Sequence, residues 1–157
     1  MRKLLFAFLL FISFNLYASE RIALVIGNAE YLDNKLNNSV KDAIDIVALL
    51  KKLDFNDVNV TRVYDAEKKE MNEAIEKFGS QLNEDTISLF FYSGHAVQLN
   101  NVNYLLPIKS YKAIKKKYKN LDDHEIVELF NDEAINLNQL TKHIESGNSK
   151  QNFIILD

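Results

Sequence analysis

The chain has 157 residues, of which 47% are hydrophobic and 26% charged, a balance that suits one globular domain and excludes a disordered tail. A formal net charge of -3 gives no reason to expect nucleic acid as a partner. There is no cysteine, which excludes a disulfide, a thiolate metal site and a cysteine nucleophile within these residues.

The first segment reads as a secretory signal peptide. Arg2 and Lys3 form a positive start, Leu4 to Leu16 is almost wholly apolar, and Ala18-Ser19 offers small residues for cleavage. The apolar run is shorter than the ~20 residues a spanning helix needs. The expected division is a leader over 1–18 and a single domain over 19–157, exported to the periplasm or the medium, with no stable membrane span after cleavage.

Arg21 to Asn28 is a β-branched, apolar run closed by Gly27-Asn28, as expected of a strand buried on both faces. Ala29 to Asn38 is polar and loop-like. Ser39 can cap a helix, because Val40, Ala43, Ile44, Val47, Leu50 and Leu53 follow at helical spacing. Val58 to Tyr64 alternates as a second strand, and Glu67 to Leu82 carries an apolar helical stripe through Met71, Ala74, Ile75, Phe78 and Leu82. Thr86 to Tyr92 is a third, strongly apolar strand that ends in Ser93-Gly94-His95. Asn100-Asn101, between Val97–Leu99 and Val102–Leu106, marks a hairpin. Lys109 to Asn131 is charged and reads as an irregular, exposed insertion, with Lys115 to Lys117 a solvated cluster. Leu137 to Ile144 forms a third helix behind an Asn136 cap, and Phe153 to Leu156 a fourth buried strand.

Strands alternating with helices of ten to sixteen residues predict βαβ units: an α/β fold with helices on both faces of a mostly parallel sheet. Chemistry in such sheets sits beyond the carboxyl ends of the strands. The chain stops on the final residue of an apolar strand, so the expectation is a domain incomplete at that end.

His95 is the leading candidate for chemistry. A strand running into Ser93-Gly94-His95 delivers an imidazole to the active edge of the sheet, where it serves as acid or base near neutral pH. The glycine is read as the residue that lets the chain turn sharply. His124 and His143 are read as solvated, and no histidine spacing suggests a metal site. Asp42, early in the first helix, reads by itself as a first-turn stabiliser. Gly27-Asn28 after a strand hints at nucleotide binding, but neither G-x-G-x-x-G nor G-x-x-x-x-G-K-[ST] is present. A small-molecule-binding α/β domain therefore stays open on the fold pattern alone.

Three blocks together resemble the caspase–metacaspase peptidase family: Arg21 to Asn28 with Tyr31, Leu36, Asn38 and Val40-Lys41-Asp42-Ala43; Phe90 to Gln98 with Asn103 to Pro107; and Phe153 to Asp157. The resemblance covers Arg21 to Asp157 and implies a three-layer α/β/α caspase-like sandwich. In bacterial members the last strand continues as Asp-Ala-Cys or Asp-x-Cys, the cysteine being catalytic, so the resemblance implies a chain cut just before its nucleophile. It further implies that His95 is the dyad histidine and that the main chain at Gly94 and Ala96 helps bind the oxyanion, Ala96 standing where the family has glycine. Asp42, Ser93 and Asp157 match positions lining the first specificity pocket. Two carboxylates there favour a substrate Arg or Lys, whereas an Asp-specific relative would present arginines, and the only arginines here are Arg2, Arg21 and Arg62.

The implied function is cysteine endopeptidase action on peptide or protein substrates; the alternative is a pseudo-peptidase that binds peptides without cutting them. No cofactor is expected. Some family members require calcium, but Asp122, Asp123, Glu125 and Glu128 lie outside the matching blocks and no calcium site is assigned.

Overall fold

A computed structural model describes residues 19–157, so the leader assigned to 1–18 lies outside the described residues. Four strands form a parallel sheet in the order β2-β1-β3-β7: β1 (Glu20–Gly27), β2 (Val60–Tyr64), β3 (Thr86–Ser93) and β7 (Gln151–Leu156). β1 and β3 lie in the middle, and their apolar sequences follow from burial on both faces. The pleat sorts them. Ile22, Leu24, Ile26, Phe90 and Tyr92 face α2 (Lys68–Ser80) and α5 (Leu137–Ser146), packing on Met71, Phe78, Leu140 and Ile144. Ala23, Val25 and Phe91 face α1 (Ser39–Lys52), meeting Ala43, Val47 and Leu50. These are the helix, sheet and helix layers of the expected fold.

A second, antiparallel sheet, β4-β5-β6, stands beyond the carboxyl edge of the first. β4 (Ala96–Leu99) and β5 (Val102–Leu105) form the expected hairpin, with Asn100 and Asn101 at φ 48° and 62°. Two consecutive positive φ values match the turn whose twist suits a two-residue hairpin, and asparagine tolerates them. β6 (Ile135–Asn136) is too short to show a period in the sequence.

Four expectations need correction. First, Phe153 to Leu156 is not buried. Among the described residues it pairs with β3 alone, and its four apolar residues are 39–49% exposed. Second, Lys109 to Asn131 is not irregular. It contains α3 (Ser110–Lys117) and α4 (Asp123–Glu133), whose Ile114, Ile126, Leu129 and Phe130 are buried with Tyr31, Tyr104 and Leu106 in a separate apolar cluster. Lysines in α3 and carboxylates in α4 surround the short apolar stripe and hide it. Third, Asn38, not Ser39, flanks the start of α1, and Ser39 is a buried first-turn residue. Fourth, β2 starts at Val60; Val58 sits in a short 3-10 turn and is 80% exposed.

Candidate active site

The parallel register sets the site. Tyr92 pairs with Leu156, so Ser93 and Asp157 come next on neighbouring strands. Asp157 N–H donates to the Tyr92 carbonyl at 2.9 Å and Gly94 N–H to the Asp157 carbonyl at 3.4 Å. Ser93 Oγ donates to Asp157 Oδ2 at 3.2 Å. Across β1, Asn28 N–H donates to the Ser93 carbonyl at 2.9 Å. The result is a cleft of about 420 Å³ at the sheet's carboxyl edge, whose lining includes Asp42, Ser93, Gly94, His95 and Asp157. Five of the six residues singled out in the sequence thus meet in one place. The sixth, Ala96, lies in β4 opposite Leu105 and does not line the cleft. Neither Asp42 nor Asp157 has an ion-pair partner among the described residues, so the cleft holds two uncompensated carboxylates.

Three contacts fix the His95 ring. Its Nε2 lies 2.8 Å from the Asn34 carbonyl oxygen. A carbonyl only accepts, so Nε2 carries the proton and, in the neutral ring, Nδ1 keeps a lone pair. Tyr31 leans on one side, with ring centroids 4.4 Å apart. Tyr111 of α3 stacks at 5.5 Å with an interplanar angle of 28°.

Beneath the ring lies a knot of hydroxyls and main chain. His95 N–H donates to Tyr31 Oη at 3.0 Å, and Tyr31 Oη donates to the Leu106 carbonyl at 2.8 Å. Tyr92 Oη lies 2.8 Å from the His95 carbonyl and 3.2 Å from Tyr31 Oη. Gly94 is small for this reason. A Cβ there would stand 2.6 Å from Tyr92 Oη and 2.8 Å from Tyr31 Oη, while no described glycine has positive φ. The glycine therefore serves close approach of the two phenols rather than the sharp turn read from the sequence.

Burial pushes the Tyr31 phenol above its ordinary range, and burial together with the Tyr31 neighbour pushes Tyr92 up further. Both must stay protonated in the folded state. A folded value raised above the unfolded one, about 10, gives stability that is full below that pH and lost as pH rises through the folded values. Stability should hold level from pH 8 to about 10 and fall above it. Absorbance at 295 nm should show phenol ionising only as the fold opens, and this late component should shrink in Tyr92→Phe; an unchanged profile would contradict the assignment.

Sequence reasoning missed Asn28 and Asp65 as organisers of the site. Asn28 is fully buried, and Asp65, at φ 50°, accepts from Ala29 and Glu30 N–H at 2.7 and 2.8 Å to hold the loop that carries Asn34. A polar residue closing the apolar run Ile22 to Gly27 was the available signal for Asn28; nothing local marks Asp65 or Tyr111. His124 and His143 are both exposed. No group of three metal-ligating side chains occurs among the described residues. Asp122 and Glu125 are engaged in a reciprocal cap at the start of α4. No helix among the described residues is long and apolar enough to cross a membrane.

A parallel sheet with helices on both faces, presenting an oriented imidazole and two carboxylates at its carboxyl edge, defines an α/β/α sandwich with a polar cleft at the usual place for a ligand. The chain belongs to the caspase domain family, which matches residues 20–156. It is 29% identical over 92 residues to mucosa-associated lymphoid tissue lymphoma translocation protein 1 of Homo sapiens and likewise to the Mus musculus homolog. Each match covers 58% of this chain but 11% of the relative. Among solved structures it is similar to protein GSU0716 from Geobacter sulfurreducens, with a TM-score of 0.58 and 18% identity over 87% of this chain and 48% of that one, a likeness of fold.

Proposed function

We propose that this domain supplies the histidine and the specificity pocket of a cysteine endopeptidase that cleaves after Arg or Lys. The observation that carries the reading is the register of β3 against β7. If the chain ran on past Asp157 alongside the bend at Gly94, the residue two places further would fall close to His95. A cysteine there would give its proton to Nδ1 of His95 and attack the substrate carbonyl as thiolate. The proton would then pass from Nδ1–H to the leaving amine, and water would release the acyl group. The family resemblance would give the oxyanion to the main chain at Gly94 and Ala96, which needs Gly94 N–H released from the Asp157 carbonyl and Ala96 brought to the cleft. Asp42 and Asp157, with Ser93 between strands, would bind the substrate cation through charge-assisted hydrogen bonds.

The 157 residues hold no cysteine and cannot form an acyl-enzyme by themselves. A second reading, a pocket that binds basic peptides without cutting them, rests on the same two cleft carboxylates, Asp42 and Asp157. The apolar run Leu4–Leu16 behind Arg2 and Lys3 supports export of the domain.

Both readings share one test. Calorimetric titration should show a short peptide ending in Arg amide binding at least about tenfold tighter than its Asp counterpart, the worth of one good charge pair. The double change Asp42→Asn with Asp157→Asn should erase that preference. Equal affinity for the two peptides would refute the basic specificity.

A further inference from the structure

A second cavity is lined in part by Tyr111, the ring that stacks on His95. It encloses about 330 Å³ between α3, α4 and the β4–β5 hairpin, at the lower end of the range for small-molecule sites. Val97, Ile114, Tyr118 and Phe130 make its wall apolar. Among the described residues, the charged groups on it are Lys115 and Lys119. Neither has an acidic partner among the described residues, in contrast to Lys117, which is paired with Glu133 at 2.8 Å. Lys115 Nζ sits 5.9 Å from the centre of the Tyr111 ring.

An apolar chamber whose charged groups are both unpaired cations complements a ligand with a hydrocarbon body and one anionic head. We propose that this cavity binds a single-chain apolar carboxylate, its chain against Ile114 and Phe130 and its head beside Lys115 and Lys119, and that occupancy is felt at His95 through Tyr111. The coupling needs no added element, because one aromatic side chain is a wall of the cavity and a face of the imidazole's surroundings. The inference is independent of the peptidase reading, since it concerns a different cavity and is read out without catalysis.

The test uses the whole chain with decanoate as the anionic probe and decyltrimethylammonium as its cationic counterpart. Both are followed by NMR of the histidine Hε1 signals, assigned among the three histidines by His124→Asn and His143→Asn. Decanoate should bind saturably below its micellar concentration and at least about tenfold tighter than the cation. The surface variant Lys115→Glu with Lys119→Glu should reverse that order. The His95 signal should move with decanoate occupancy in the parent and in Tyr111→Phe, and stay still in Tyr111→Leu although decanoate still binds. Lack of saturable binding, or equal binding of anion and cation, would overturn the site. A His95 shift that persists in Tyr111→Leu would overturn the coupling.

Discussion

Asn28→Ala should lower the unfolding free energy by about 2–3 kcal/mol, the cost of an orphaned buried hydrogen-bonding group plus a small cavity. The side chain is fully buried. Its Oδ1 accepts from Ala66 N–H at 2.9 Å, and its Nδ2 donates to the Leu106 carbonyl at 3.3 Å and lies 3.5 Å from Met71 Sδ. Removing it leaves the Ala66 N–H without a partner. Leu106 loses less, because Tyr31 and Tyr92 Oη also reach its carbonyl at 2.8 and 3.0 Å. Asn28→Asp should not rescue the loss, since it keeps the acceptor for Ala66 but sets an oxygen against the Leu106 carbonyl and buries a charge. Asn28 ties β1 to the turn after β2 and to the end of β5, so the change should also loosen the Tyr31 contact beneath His95. Denaturant titration gives the number directly; a loss below about 0.5 kcal/mol, the range of ordinary surface changes, would contradict the role assigned to this residue.

The layered core was legible because burial on both faces leaves a plain mark. Nothing but apolar and small residues fits from Ile22 to Gly27, and the stripe in α2 has the helical period. The hairpin was legible because Asn-Asn suits the two positive φ values its turn requires. The strand at Phe153 to Leu156 shows where such reasoning stops: apolar composition records that a strand is suited to cover, and says nothing of whether the described residues supply it. In α3 and α4 a short buried stripe lies among lysines and carboxylates, and only the separate cluster around Tyr31 and Tyr104 reveals that these helices have an inner face.

The site divides in the same way. His95 was readable because it follows the carboxyl end of an apolar strand, where a parallel sheet gathers chemistry, whereas Asp42, Ser93 and Asp157 were marked only by the family resemblance. Their partners were not readable. The Asn34 carbonyl that fixes the His95 tautomer is main chain in a loop, and any residue type could provide it. Tyr111 reaches the imidazole from a helix sixteen residues further along the chain, through a fold the local pattern does not display. Gly94 was read as a turn residue, yet its smallness makes room for two tyrosine hydroxyls contributed by β3 and by the loop after β1.

The central claim is spatial: Nδ1 of His95 stands where it can take a proton from a side chain two places beyond Asp157. Appending Ala-Cys to the chain and measuring iodoacetamide alkylation of that one thiol against pH tests it without any substrate. A thiol paired with the imidazole ionises below the ordinary value of about 8.5, so at pH 6.5 the appended thiol should react at least about tenfold faster than the same thiol in His95→Ala. Equal rates in the two proteins, with an ordinary thiol titration in both, would contradict the placement of the dyad.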